Sequence, residues 1–343
     1  MKTKVAINGF GRIGRIAFRI AHDRTDLEVV GINDLTDTKT LAYLLTHDSN
    51  YGKYHHEVGF DDTNIIVDGK KIPISAEKDP TALPWKDLGV DVVIESTGRF
   101  TKAEDASAHI KAGAKKVVIN APSKGDGVDT VVIGANDDKL KECGDILSNA
   151  SCTTNSVAAI MDILDREFGV EKAMLTTVHS DTASQTLTDG PAKDLREGRA
   201  APQNIVPTTT GAAIAVALTV PSLKEKFDGL SVRVPTPVVS LSDVTMVLKR
   251  STTKEEINEV LIKASKEPYY QGIVAVSDEP LVSSDYIGNS SSGTVDLELT
   301  NVVAGTLAKV VVWYDNEWGY SNRLVELVAD TGRLLQAQAG KED

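Results

Sequence analysis

Through the first 120 residues, compact apolar runs at 5–7, 27–33, 90–96 and 116–121 alternate with stretches at 13–22, 38–45 and 101–112, where apolar side chains recur every three or four positions. The runs predict strands and the periodic stretches predict helices. A strand apolar at consecutive positions has both faces covered, and strands that alternate with helices pair in parallel. Residues 1 to about 150 are therefore expected to form a doubly wound α/β domain.

The pattern changes after Asn149. A helix is predicted over 153–168, with Val157, Ile160, Met161, Leu164 and Phe168 near one face. Strands follow at 173–178, 230–234, 238–249 and 309–314, with few helices between them. That order predicts an α+β domain built on a mainly antiparallel sheet. The segment 180–207 reads as one long loop rich in Gly, Pro and charge, a length usually reserved for function or interfaces. Leu324, Leu327, Val328 and Leu335 give 321–338 an amphipathic helix that must return to one of the domains.

Composition narrows the class. The 343 residues suggest two domains, and 41% apolar against 25% charged residues is an ordinary globular balance. A net charge of −12 repels phosphate backbones, so no nucleic-acid partner is expected, and an anionic substrate would need local donors. The longest apolar run, 212–220, is too short to span a bilayer, and the MKTKVAING start lacks the apolar stretch of a secretory signal. Two cysteines, Cys143 and Cys152, exclude a disulfide scaffold. A cytoplasmic protein is expected, without a membrane partner.

Gly9-Phe-Gly11-Arg12-Ile13-Gly14 follows the first strand and opens the first helix. In a G-x-G-x-x-G turn the first glycine allows the tight bend and the second lets the backbone approach a pyrophosphate. The third lets helix and strand pack closely. Asp34 ends the second strand 20 residues after Gly14. A carboxylate there accepts both ribose hydroxyls and repels a 2′-phosphate, which favours NAD over NADP.

Cys152 lies just before the helix at 153–168, within a run of small hydroxyl side chains. A helix N-terminus stabilises a thiolate, although a lone cysteine is more often a small buried apolar residue. Its best partner is His179, at the end of a strand. His22, His47, His55, His56 and His109 show no metal-ligand spacing; they are expected to be solvated, and no metal is expected.

The segments NGFGRIGR, SNASCTTNS, TTVHS, TTTGAA, RVPTPVVSLSD and WYDNEWGYSN occur in that order, and together they resemble the phosphorylating, NAD-dependent glyceraldehyde-3-phosphate dehydrogenases. The resemblance runs from residue 2 to about 330. It implies a Rossmann-type NAD-binding domain of residues 1–151 and 317–343, a catalytic domain of residues 152–316, and a homotetramer. The implied reaction converts D-glyceraldehyde 3-phosphate and inorganic phosphate to 1,3-bisphosphoglycerate with NAD reduction. Cys152 would form a thiohemiacetal and then a thioester, with His179 as base. Cofactor contacts are implied for Gly9, Gly11, Arg12, Ile13, Gly14, Asp34, Lys78, Thr97, Gly98, Asn120 and Asn316, the last holding the nicotinamide amide. Thr182 and Arg233 match one anion pocket; Ser151, Thr153, Thr210 and Gly211 match the other. Arg199 or Arg196 assists from the long loop, and the residues do not decide between them.

Four positions depart from the family pattern. Ile214 stands where lysine is usual, Val238 where asparagine is usual, Ser156 where a second cysteine is frequent, and Asn120 where Ser or Thr is usual. Two other readings compete: a relative acting on erythrose 4-phosphate, and a non-catalytic binding protein on the same fold.

Overall fold

The computed structural model describes residues 1–340. These divide into two compact units, one of residues 1–131, 138–150 and 321 onward, the other of residues 132–137 and 151–320. No helix of the described residues is long and apolar enough to cross a membrane.

The first unit is built on a nine-stranded sheet. Its order is Asp129–Thr130, Ile146–Ser148, Lys116–Ile119, Val92–Glu95, Thr3–Asn8, Leu27–Asn33, Lys70–Ser75, Asn64–Val67, Val58–Phe60. The first seven strands run parallel. Val5, Ile7, Val92, Val93, Ile94, Val117 and Val118 are fully buried, the covered pattern that their consecutive apolar positions predict. This is a Rossmann-type sheet. The last two strands add antiparallel, a feature the sequence reading missed. Its signal was present: Asp68 and Gly69 have φ of +49° and +79°, the two left-handed residues of a type I′ hairpin turn between apolar runs.

The Trp318–Ala339 helix returns its later turns to this unit. Leu324, Val325, Leu327 and Val328 are fully buried. Burying each such side chain is worth about 1.5–3 kcal/mol, so these four fix the helix in place. Gln336 Nε2 also donates to Thr3 Oγ1 at 3.2 Å.

The second unit is an eight-stranded sheet carrying helices Cys152–Phe168, Ala212–Thr219 and Lys254–Ser265. Its order is Val206–Thr209, Phe227–Val234, Val170–Ser180, Ser240–Leu248, Leu307–Tyr314, Gly293–Asp296, Val274–Ser277, with Asn301–Val303 beside Leu307–Tyr314. Most pairings are antiparallel, but Val170–Ser180 with Phe227–Val234 and Val274–Ser277 with Gly293–Asp296 are parallel. The long loop is shorter than expected, because Val206 and Pro207 already belong to a strand. The Lys254–Ser265 helix was also missed. Thr253 caps it by accepting from Glu256 N at 3.2 Å, the start of a T-x-x-E signature legible in the sequence.

Gly332 sets how closely the last helix approaches the first strand, since an added Cβ would overlap the Thr3 side chain. Overpacking costs about 1–3 kcal/mol, more than the ~1 kcal/mol that alanine gains over glycine inside a helix. Gly332→Ala is expected to lower the urea midpoint, and adding Thr3→Ala to recover part of the loss. An unchanged midpoint would mean that the helix can shift freely.

Candidate active site

The chain leaves the first strand at Gly9, whose φ is +93°. A Cβ there would stand 2.8 Å from both Ser96 C and Thr97 N, so only glycine lets the turns after the Thr3–Asn8 and Val92–Glu95 strands abut. These strands are spatial neighbours although the chain runs from the first to Leu27–Asn33. That reversal opens a crevice at their carboxyl ends. Gly11 caps the Arg12–His22 helix, and a Cβ on it would meet nothing within 4 Å, so the free N–H groups of the first turn open onto space. A Cβ on Gly14 would overlap the Gly9 carbonyl oxygen.

A cleft of about 290 Å³ lies here, lined by Gly9, Gly11, Asp34, Lys78 and Thr97 among others. Asp34 is fixed at its edge by accepting from Phe10 N at 2.8 Å and Thr36 N at 3.0 Å. Close backbone, helix-terminal donors and an oriented carboxylate fit the pyrophosphate and ribose of a dinucleotide. Arg12 instead turns to Asp48, with Nη1 to Oδ2 at 2.7 Å, and Ile13 is half-buried. Gly98 is exposed with φ +71°, and Asn120 Nδ2 donates to Ser96 Oγ at 2.9 Å.

Beneath the cleft runs a polar chain that the sequence reading missed. Asn33 Nδ2 donates to Asn8 Oδ1 at 2.7 Å, and Asn8 Nδ2 to Glu95 Oε2 at 2.6 Å. His109 Nε2 meets the same oxygen at 2.9 Å, while Trp85 Nε1 donates to His109 Nδ1 at 3.0 Å. Indole N–H can only donate, so His109 Nδ1 accepts and its proton sits on Nε2, directed at Glu95. Glu95 Oε1 then accepts from Thr97 N and Oγ1 at 2.8 and 2.5 Å. His109 was expected to be solvated; it is fully buried. Its isolated position in sequence carried no signal of this partner set.

In the second unit, Cys152 opens its helix, and Ser151 Oγ caps it by accepting from Thr154 N at 3.0 Å. His179 lies on the Val170–Ser180 strand, and the parallel register sets it opposite Arg233. Cys152 Sγ and His179 Nε2 are 3.4 Å apart. His179 Nδ1 lies 2.7 Å from Ser180 O, a carbonyl that can only accept. The ring proton therefore sits on Nδ1, and the Nε2 lone pair faces the thiol. Burial pushes the Cys152 thiol up, outweighing Arg233 and the N–H groups that favour a thiolate. Burial and Arg233 push the His179 imidazole down to about 3. Both shifts favour the neutral pair, thiol against imidazole, whereas helix position alone favours a thiolate.

The Arg233 Nη1 atom reaches Ser180 O at 3.5 Å, and its Nε is buried with no hydrogen-bond partner among the described residues. An anion is the group such a donor lacks. Thr182 N donates to Gln185 Oε1 at 3.2 Å, and its hydroxyl meets Ser184 Oγ at 2.9 Å. Thr210 Oγ1 accepts from Ala212 N at 3.2 Å, and Gly211 caps the Ala212–Thr219 helix. Arg199 is exposed and bonded to Asp189 at 3.1 Å, and Arg196 is exposed on the same loop.

Tyr314, a second omission of the sequence reading, joins the elements of this site. Its hydroxyl meets Thr153 Oγ1 at 2.9 Å and Thr177 Oγ1 at 2.8 Å. Asn316 is oriented by Ser180 Oγ and Ser240 Oγ, which donate to its Oδ1 at 3.0 and 3.1 Å. Val239, just before Ser240, has φ +71°, a strained state for a β-branched residue. Of the departures, Val238 is buried, Ile214 is exposed, and Ser156 donates to Thr153 O at 2.8 Å.

Residues 3–103 match the family model described as the NAD binding domain of glyceraldehyde 3-phosphate dehydrogenase, and residues 151–316 match its C-terminal domain. A glyceraldehyde-3-phosphate dehydrogenase of Geobacillus stearothermophilus is 52% identical over 330 residues, covering 96% of this chain and 98% of that protein. One from Thermotoga maritima is 56% identical over 325 residues, covering 94% and 97%. One from Zymomonas mobilis is 51% identical over 337 residues, covering 98% and 100%.

The depressed His179 has a stability consequence. Between its folded value of about 3 and the ordinary 6.5, the unfolded chain binds a proton that the folded chain does not. Stability from this group is fully present above the ordinary value and is lost as pH falls toward the folded one. Urea midpoints taken from about pH 7.5 to about pH 5 should fall more steeply for the unmodified chain than for His179→Asn. Equal slopes would show that the imidazole is protonated inside the fold.

Proposed function

The chain belongs to the glyceraldehyde 3-phosphate dehydrogenase family, and on that premise we propose that Cys152 and His179 carry out its covalent chemistry. The activity is the glycolytic one: oxidation of glyceraldehyde 3-phosphate coupled to phosphorylation, with NAD as the cofactor. The observation that carries the assignment of residues is the 3.4 Å approach of Sγ to an Nε2 whose lone pair is aimed by the Ser180 carbonyl.

Cys152 Sγ attacks the aldehyde carbon as its proton passes to His179 Nε2, and the imidazolium then protonates the new oxyanion to give a thiohemiacetal. Bound NAD supplies the hydride acceptor for the oxidation that follows. His179 takes back the hydroxyl proton as the C–H bond is lost, leaving a thioester on Cys152. Inorganic phosphate attacks the thioester carbonyl, the sulfur leaves, and 1,3-bisphosphoglycerate is released. A neutral resting pair suits this cycle, because neither charge is buried until the substrate is present.

We assign the substrate phosphate to Thr182 and Arg233, and the attacking phosphate to Ser151, Thr153, Thr210 and Gly211. The unpartnered Arg233 Nε supports the first pocket. Arg199 is assigned to assist the second through its Nη groups, its Nε being held by Asp189. Residues 1–151 and 317–343 are assigned to cofactor binding, with Gly9, Gly11, Gly14 and Asp34 at its centre. Lys78 and Thr97 line that cleft, Gly98 follows Thr97 and is assigned to the same contacts, and Asn316 is assigned to the nicotinamide through its amide NH₂. Residues 152–316 are assigned to catalysis. The expected setting is the cytoplasm.

The second unit also leaves Met174, Ile214 and Leu307 exposed around a groove of about 740 Å³. A sheet face of this kind needs cover. The cover proposed is further copies of this chain, in a homotetramer.

NADH formation from glyceraldehyde 3-phosphate should require added phosphate. Cys152→Ser should abolish it, and His179→Asn should slow it by about 10²–10⁴-fold, the usual worth of acid–base assistance. Turnover without phosphate, or an active serine variant, would remove the thioester route. For assembly, light scattering at micromolar concentration should return about four chains, in closed symmetry. A fully active monomer would remove the assembly proposal.

A further inference from the structure

Three histidines that show no metal-ligand spacing in sequence come together on the first unit, away from the dinucleotide cleft. His22 ends the Arg12–His22 helix and Asp23 caps it. His55 and His56 lie in the segment before the Val58–Phe60 strand, and Asp68 is the first left-handed residue of the hairpin turn. His56 Nδ1 stands 2.5 Å from Asp68 Oδ2, and His22 Nε2 stands 3.9 Å from the same oxygen. On its other side, His56 Nε2 is 2.7 Å from Asp23 Oδ1, which His55 Nε2 approaches at 3.6 Å. The donor atoms of His22, His56 and Asp68 all lie within 4.8 Å of one another.

We propose that His22 Nε2, His56 Nδ1 and an Asp68 carboxylate oxygen form a binding site for a divalent transition-metal ion of the zinc class. Ligands about 2.0 Å from zinc at tetrahedral angles stand roughly 3.3 Å apart, and the separations from Asp68 Oδ2 to the two imidazoles fall on either side of that value. Small rotations of two side chains bring the three donors to one centre, with water as the fourth ligand. The donors are two imidazoles and one carboxylate with no thiolate, a set suited to zinc and nickel rather than to magnesium or calcium.

The surroundings match what a metal-bound histidine needs. A ligating imidazole donates its other N–H to a carboxylate that fixes the ring and raises its basicity. Asp23 stands in that relation to His56 Nε2 at 2.7 Å. His22 is stacked on Phe18, with ring centroids 5.6 Å apart, and its edge-on contact with His56 holds both rings. Burial and the neighbouring His56 also keep His22 below its ordinary pKa, so it presents a lone pair. Without metal, each ring nitrogen of His56 faces a carboxylate, Nδ1 Asp68 and Nε2 Asp23, and the ion must displace any proton on Nδ1. Asp68 and Asp23 are nearly half exposed, which gives the ion an open path. A bound ion would tie the end of the dinucleotide-binding helix to the hairpin beside it.

The probe is ZnCl₂ alone, titrated calorimetrically into the full chain after chelator treatment, with both cysteines first blocked by iodoacetamide. Blocking removes Cys152 and His179 as a competing thiolate site. One ion per chain is expected. His22→Gln and His56→Gln should abolish binding, whereas His47→Gln should leave it unchanged. Asp23→Asn should weaken it by about 10–100-fold at unchanged stoichiometry, the usual effect of losing an outer partner. Zinc should also raise the melting temperature of the chain but not of His22→Gln, a readout that holds if His56→Gln folds poorly. Cobalt(II) should give visible absorption without a thiolate charge-transfer band. No binding by the blocked chain, or binding unaltered in both histidine variants, would overturn the site.

Discussion

A single phenolic hydroxyl holds the chemistry of the second unit together. Tyr314 is almost fully buried, and its oxygen has one proton to give and two lone pairs to share. Two of these are used, by Thr153 on the nucleophile helix and by Thr177 two residues before His179. The 3.4 Å approach of Cys152 to His179 is flanked by this joint, which links the first turn of that helix to the same strand through one oxygen. A buried hydroxyl left without its partner costs about 1–3 kcal/mol, so the three side chains act as one element. Burial also raises the Tyr314 pKa, which keeps the hydroxyl neutral and its donor in place.

The first unit relies on the same device at larger scale. Asn33, Asn8, Glu95, His109 and Trp85 form a buried chain whose only carboxylate ends on the Thr97 amide and hydroxyl. A buried carboxylate is tolerable only when its lone pairs are satisfied, and here each oxygen has two donors. The result is a rigid turn at Thr97 against Gly9, where the carboxyl ends of two neighbouring strands diverge. Polar groups in the interior thus shape the cleft floor, and glycines clear the space above it.

Much of this was legible in the residues. The four parallel strands read from apolar runs, the glycine turn and Asp34 each follow from local pattern, and the pairing of Cys152 with His179, 27 residues apart, was legible through the motifs around each. What was hidden depends on partners distant in sequence. His109 lies 14 residues from Glu95 and 24 from Trp85, and no periodicity links them. The thiol's pKa was misjudged because a helix N-terminus is visible in sequence, whereas burial is not. Other omissions were legible but passed over: the Asp-Gly hairpin turn at 68–69 and the T-x-x-E start of the helix at 254. The two parallel pairs in the second sheet could not be read, since an apolar strand does not state the direction of its neighbour.

The placement of His179 in the sheet also divides the site by timescale. Its strand has hydrogen-bonded neighbours on both sides, Phe227–Val234 and Ser240–Leu248, so the amides around His179 and Arg233 open only when much of the unit opens. Thr182 lies two residues beyond that strand, in a segment held by loop contacts such as Gly190 N to Gly198 O at 2.8 Å. Hydrogen exchange would thus find a slow centre beside a fast margin: the reacting pair and Arg233 stay set while the Thr182 side of the anion pocket breathes.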